Sequence, residues 1–580
     1  MKNVNSLLFN IVLFLFTTIA LAQLVSTNSA LNTAISNAVP GTTIILTNGT
    51  WTNTQININK TGTAAQPITI KAETAGSVFF EGNSYVKMGG SYIVFQGVTF
   101  GNPSGLSISN NVITFKSSSE CSYCQLTNVK IDSYNGTAAD ATNTFKWVLL
   151  YGNNNEISYC SFIGKYGVGS IINDNRDTNT PDYSKIHHNY FASRTPVGAV
   201  NDLNDQDAIR IGNSATSLYD SFTEVYDNYF YDFVGEIEVI SNKSCHNKYY
   251  NNTFRDYSGT LTLRHGNDCE VFDNFFIANN KLFSGGVRVM GENHKIYNNY
   301  IEGVNAKKAD GSTSNAVGGI NVSNGRVSSA LNGYMAVKNV TITNNTFVNG
   351  DFGLRIGTNV AGDLTIAPDN LVVANNLIVS SSSTAKAIEQ ITSPTGTSSK
   401  YEGNIKQNGS WNINTGTTNI SVTSGLLATT KTDFYRIISG STAIDKGFGT
   451  YSFLTQDITG GSRPTSFDVG AEEFNSGGSQ VPYTSADVGV KVGFHGNATL
   501  GIAERNLDKQ NLILYPVPVT NNVLYVHSKT NLGTFTIIDL QGKILKEETV
   551  NDTNAKIDLS NFSNGTYIIN IRGTSKTFIK

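Results

Sequence analysis

Between Gly235 and Gly266 the chain reads GEIEVISNKSCHNKYYNNTFRDYSGTLTLRHG. Strand alternation puts Ile237 and Val239 on one face and Glu236 and Glu238 on the other. Lys243 follows on the same segment, and in TLTLR the residues Leu261 and Leu263 point inward while Thr260, Thr262 and Arg264 share the opposite face. Two carboxylates, a lysine and an arginine are thereby expected on one face of two consecutive strands. Carboxylates two apart on a strand, at roughly 7 Å, repel by about 2 kcal/mol at an effective dielectric of about 20. Such a pair is either an ordinary solvated edge or a place for a cation.

The same period runs along most of the chain. Asn followed by an aromatic or aliphatic pair recurs at 189–191, 228–230, 252–254, 274–276, 299–301, 345–347 and 376–378. The steps from Asn228 to Asn252, Asn274 and Asn299 are 24, 22 and 25 residues. A period in the low twenties, with short strands and longer insertions elsewhere, predicts a parallel β-helix whose asparagines stack at the turns. In register with it, Ile209-Arg210-Ile211, Val287-Arg288-Val289, Ile320-Asn321-Val322 and Leu354-Arg355-Ile356 each carry one polar residue between two apolar ones. Glu238 and Arg264 are expected to fall in this column, which then forms a charged groove for a long polymer, since arginine matches a carboxylate bidentately. One helical stretch, 29–39, ends at Pro40-Gly41 and suits a cap on the open stack.

Composition sharpens this picture. The chain has 580 residues, too many for one core, with 54 glycines and only 15% charged residues, the texture of an all-β protein. The net charge of −3 gives no global attraction for a polyanion, so nucleic acid is not expected as a partner and any anionic substrate needs a local basic cleft. MKNVNSLLFNIVLFLFTTIALAQ reads as a signal peptide (1–22) with an A-x-A site, and no other stretch is apolar and long enough for a transmembrane span. Five cysteines leave at least one thiol unpaired; Cys121 and Cys124 lack the second half of a zinc site, and Cys245 and Cys269, one period apart, are expected to pack in the wall. After the β-helix (23–480), a Gly- and Ser-rich linker (481–509) precedes evenly spaced strands at 510–580 that predict a small β-sandwich.

The segments PGTTIILTNGTW, QPITIKAETAGSVFFEG, KWVLLYG, NDQDAIRIGNS, GEIEVISNKS, GTLTLRHGNDC and GGVRVMGENHKIYNNYIEG resemble polysaccharide lyase family 6, which contains alginate lyases and chondroitinase B. The resemblance covers residues 24–480 and implies a right-handed parallel β-helix. It implies calcium ligands at Glu236, Glu238 and Asn204, although Asp205 and Gln206 stand where the family pattern N-G-G-E-T-I-R has glycines. It also implies Lys243 as base with Arg264 beside it, and Arg288 and His265 in the substrate cleft; the polar column adds Arg210 and Arg355 as expected substrate contacts. The last 75 or so residues resemble the sorting domain of the type IX secretion system, with LYPVPV in place of its Y-P-N-P motif and Val517 in place of the Asn. The expected protein is a secreted or cell-surface lyase that cleaves a uronate polymer, first of all alginate, by calcium-assisted β-elimination. A chondroitin or dermatan sulfate lyase and a non-catalytic carbohydrate-binding β-helix remain as alternatives. A hydrolase would need two or three acids around the scissile bond without the lysine and arginine found here.

Overall fold

The computed structural model describes residues 22–490 and 513–580, apart from 177, 414, 415, 529, 530, 540–542, 572 and 573. The expected signal peptide, except for Ala22, and residues 491–509 of the expected linker lie outside the described residues. The chain divides into two compact units, 1–497 and 498–580.

The first unit is a parallel β-helix of three 14-stranded sheets. Each turn of the chain contributes one short strand to each sheet, so strands adjacent in a sheet are one rung apart in sequence. Inward side chains stack in columns, as in the file Phe162, Phe191, Phe230, Phe254 and Phe276, whose ring centroids lie 4.5–5.2 Å apart. The helix Asn28–Asn37, capped by the Thr27 side chain accepting from Ala30 N, buries Leu31, Ala34 and Ile35 against the first rung.

The repeated asparagines form one ladder. Asn189, Asn228, Asn252, Asn274, Asn299, Asn345, Asn376, Asn404 and Asn419 are joined side chain to side chain at 2.9–3.0 Å. Each also bonds strand carbonyls; Asn252 Nδ2, for example, donates to Val225 O and Tyr250 O. The residues before them, among them Asp227, Asn251, Asn298, Asn344 and Asn375, hold φ near +55°. Asp and Asn tolerate this left-handed turn better than other non-glycine residues.

After Ile420–Val422 the chain reverses and runs back along the outside of the helix. Leu426, Phe434, Ile437, Ile458, Val469 and Ala471 pack on Phe275, Tyr300, Val348 and Leu377. Farther back, Tyr483 N donates to Thr253 Oγ1 and its hydroxyl to Asp227 Oδ1, and Val490 N donates to Ser161 Oγ. Residues 481–490 therefore belong to the β-helix unit rather than to the expected linker, because Tyr483, Val488 and Val490 find apolar and hydrogen-bonding partners on its wall.

Cys121 and Cys124 form a disulfide, while Cys160, Cys245 and Cys269 are buried free thiols. The second unit has two antiparallel sheets of three and four strands around a core that includes Leu524, Val526, Phe535, Ile537, Ile557 and Ile569. Among the described residues, no helix is long and apolar enough to cross a membrane.

Candidate active site

The strands Glu238–Lys243, Gly259–His265 and Ser284–Val289 lie side by side in one sheet and carry the site. Their pairing contains two irregularities. Glu238 pairs with Thr260 and Ile240 with Leu261, which leaves Val239 as an extra residue; Asn242 pairs with Leu263 and Lys243 with His265, which leaves Arg264 as another. Bulges re-aim side chains. Here the first returns Glu238 to the outer face with Ser241, whose hydroxyl donates to Glu238 Oε2, and the second swings Arg264 over the same face. The strict alternation expected from the sequence is therefore broken at Val239. Val239 joins the main core, while Ile237 packs in a separate cluster with Phe283, Ala306 and Val317. The outer polar column also differs from expectation: it runs Asn173, Arg210, Ser241, Thr262, Arg288, Asn321, Arg355 and Glu389, with Glu238 and Arg264 beside it rather than in it.

Buried Asn242 pins the second bulge. Its Nδ2 donates to Ser244 O and His265 O, and its Oδ1 accepts from Asn247 Nδ2 and Tyr249 OH.

The two glutamates are both buried but differ in charge environment. Glu238 Oε1 lies 3.7 Å from Arg264 Nε and 3.6 Å from Arg288 Nη1. Burial pushes its pKa up, but Lys243, Arg288 and Arg264 outweigh that and hold it below the ordinary carboxylate value. Glu236 accepts from Gln206 N at 2.9 Å and lies 3.9 Å from Arg210 Nη2. Burial, then Asp207 and Glu238, push its pKa up to about 8. Asp207, not singled out in the sequence, is fully buried; its Oδ2 accepts from Arg210, whereas its Oδ1 has no hydrogen-bond partner.

Lys243 is half-buried, and its pKa is lowered by burial and by Arg210, against the opposing pull of Glu238 and Asp207. Lys146, on a neighbouring rung, is lowered by burial and Arg210 too, with a further contribution from Lys243. Arg264 donates to Gly333 O and, at 3.3 Å, to Asn332 O; its guanidinium lies 4.5 Å from the centroid of the Tyr334 ring. His265 Nε2 lies 3.2 Å from Gly333 O, which can only accept, so Nδ1 is left to accept from Ser214 Oγ at 3.3 Å. Burial and the neighbouring Arg264 and Lys243 lower its pKa to about 3, so the ring is neutral at ordinary pH.

The remaining expected residues are placed differently. Arg210 is committed to Asp205 and Asp207. Arg355 is buried two rungs past Arg288, bound to Glu389 Oε2 at 2.8 Å and to Val317 O and Ser314 O. Asn204 is exposed in the loop before Ile209–Gly212. A hard cation fits the donors present: buried carboxylate oxygens at Glu236 and Glu238, and the unpartnered Asp207 Oδ1. Among the described residues, no group of three or more His, Cys, Asp and Glu is already gathered for a metal. Asn204, water or substrate would have to complete a shell.

Comparison with known proteins bears on the family and the fold. The chondroitinase B family model matches residues 25–441, and a secretion-system C-terminal sorting domain matches 513–580. Among solved structures, the PL6 family alginate lyase AlyGC shares 33% identity over 69% of this chain and 53% of its own, with TM-score 0.62. A mannuronic acid specific family 6 lyase from human gut microbiota shares 26% over 67% and 86%, with TM-score 0.57. A PL6 family polysaccharide lyase from Pseudopedobacter saltans, at 24% identity over 81% and 99% and TM-score 0.58, supports the fold. The chain thus spans little more than half the length of AlyGC, and no protein with a curated description matches it. The sorting domain implies secretion through the type IX system. With a family model that runs through every rung bearing the site, the chain belongs to the chondroitinase B family, polysaccharide lyase family 6.

Proposed function

We propose that the protein is an exported lyase that cleaves alginate by β-elimination, with Lys243 as base and Arg264 and Arg288 as the cationic partners of the uronate. The observation that carries this reading is the meeting of Lys243, its pKa lowered, with Arg264 and Arg288 around the buried Glu238 on one sheet face.

Elimination at a 4-linked uronate removes the C5 proton, forms the C4–C5 double bond and expels the 4-linked oxygen. Lys243, deprotonated more readily than an exposed lysine, takes the C5 proton. Arg264 donates to the neutral carbonyls of Gly333 and Asn332 and shares the one carboxylate of Glu238 with Arg288, so the pair keeps a net positive charge. It holds the uronate carboxylate or hydrogen-bonds the departing oxygen, and Arg288 adds a second positive group. Neutral His265 fixes the turn by bonding Gly333 O and Ser214. Calcium held by Glu236, Glu238 and Asn204 would supply charge withdrawal from the substrate carboxylate. A signal peptide at 1–22 would complete the two-step export that the sorting domain implies.

The family model's description favours a second substrate class, chondroitin or dermatan sulfate. The test is a panel of mannuronate-rich alginate, guluronate-rich alginate, chondroitin sulfate and dermatan sulfate, read by ultraviolet absorbance of the unsaturated uronate. Alginate is expected to give the strongest signal. Selective action on dermatan would move the substrate to the runner-up, and silence on all four polymers would leave a binding protein without lyase activity.

A further inference from the structure

The loop 324–340, between the strands Ile320–Ser323 and Thr341–Thr343, reaches back to the active-site rungs. Its base is closed by reciprocal main-chain bonds between Gly325 and Ile366 and by the two-point Arg326–Asp363 pair. Gly333 at its tip accepts from Arg264 and from His265. Next to it, the half-buried Tyr334 ring has three guanidinium groups around it: Arg264 at 4.5 Å, Arg326 at 5.3 Å and Arg288 at 5.8 Å. Asp363 neutralises Arg326, but Arg264 and Arg288 share the single carboxylate of Glu238, so one positive charge is left over where like charges repel. An aromatic face attracts cations without hydrogen-bonding or neutralising them. A carboxylate in the same place would hold the arginines as firmly but would compete with an anionic substrate.

We infer that Tyr334 is a positioning residue: its ring, with the Gly333 carbonyl beside it, holds Arg264 and Arg288 aimed and charged for the uronate carboxylate. This inference rests on the lyase reading above. A cation–π contact of this kind corresponds to about 2- to 30-fold in rate.

The experiment compares wild type, Tyr334→Ala, Tyr334→Leu and Tyr334→Phe on the best substrate of the panel, in the full chain and again in an Arg264→Lys background, with thermal melting as the check on folding. Tyr334→Ala and Tyr334→Leu are expected to lose about 5- to 30-fold in kcat/KM, and Tyr334→Phe to restore most of it, because the ring acts and the hydroxyl does not. In the Arg264→Lys background the Tyr334→Ala loss is expected to shrink, as it does for groups that act through one another. If Tyr334→Ala does not fold, Tyr334→Leu against Tyr334→Phe decides the matter. If the background leaves no measurable rate, binding of an alginate oligomer to Lys243→Ala, with and without Tyr334→Leu, replaces it, and weaker binding with Tyr334→Leu is expected. Wild-type kinetics or unchanged binding in the Tyr334 variants, or an equal loss in both backgrounds, overturns the inference alone. A wild type inactive on every uronan overturns the lyase reading and this inference with it.

Discussion

Lys243 takes its chemistry from what surrounds it. Burial and Arg210 destabilise its charged form, while Glu238 and Asp207 stop the shift from going further. A base works when neutral, so turnover rises with pH through the lysine's pKa; because that value is lowered, the rising limb should fall on the acid side of the ordinary lysine value of about 10.4. Lys243→Ala should abolish this limb and cost about 10²–10⁴-fold in kcat with little change in affinity. Adding Arg264→Ala should then cost little more, and fully additive losses would show that the two do not act as one unit. Chelation should remove turnover while leaving the β-helix folded, with Glu236→Ala giving the same loss; full activity in metal-free protein would exclude the cation. Glu236, Glu238, Lys243 and Arg264 were legible in the sequence because they sit in one short alternating stretch and in a family motif. Asp207 and Tyr334 were not. They reach the site from a preceding rung and from a later loop, and nothing periodic in their own segments marks them.

At the scale of the strand, the site depends on two extra residues. A bulge is defined by the register of the partner strand, and the chain that carries it gives no sign of it; hence GEIEV read as unbroken alternation although Val239 and Ile240 both turn inward. The asparagine repeat, by contrast, was legible in seven of its members, because its period needs only the chain itself. Asn404 and Asn419 escaped because Lys406 and Ser421 stand where the other seven have a phenylalanine or isoleucine two residues after the asparagine. Asn242 is the exposed weakness of the arrangement. Asn242→Leu should leave Tyr249 OH buried without its acceptor, reduce Asn247 Nδ2 to its bonds with Ser244, and take the Asn242 donor from His265 O. We expect a loss of about 2–5 kcal/mol in unfolding free energy, and a drop in kcat larger than the drop in affinity as Lys243 and Arg264 lose their register. Denaturant melts and steady-state kinetics on the same variant separate the two effects.

The whole β-helix unit is closed by its own returning tail, so truncation should be sharply position-dependent. A chain ending at Val490 keeps the Tyr483–Asp227 bond and the buried Val488 and should retain full activity in purified form. One ending at Gln480 exposes that wall and should be less stable by about 2–4 kcal/mol, as expected for lost valine and tyrosine burial; equal melting of the two would mean that the tail is idle. Either truncation removes the sorting domain and should strand the protein inside a type IX-secreting host. The asparagine ladder has a different reach. From Asn189 to Asn419 every amide nitrogen addresses the oxygen of the next rung, so the column has a polarity. Turning one amide over would set oxygen against oxygen on one side and nitrogen against nitrogen on the other, and the main-chain bonds at each rung, to Val225 O and Tyr250 O from Asn252 and from Asn252 N to Asn274 Oδ1, hold every member to the same sense. An aspartate at position 274 could still accept from Asn252 but would face the Asn299 oxygen with a bare oxygen of its own. Asn274→Asp should therefore cost about 1–3 kcal/mol at neutral pH. Its carboxyl pKa, raised by that contact, makes the folded variant bind a proton more tightly than the unfolded one, so stability should return as the pH falls.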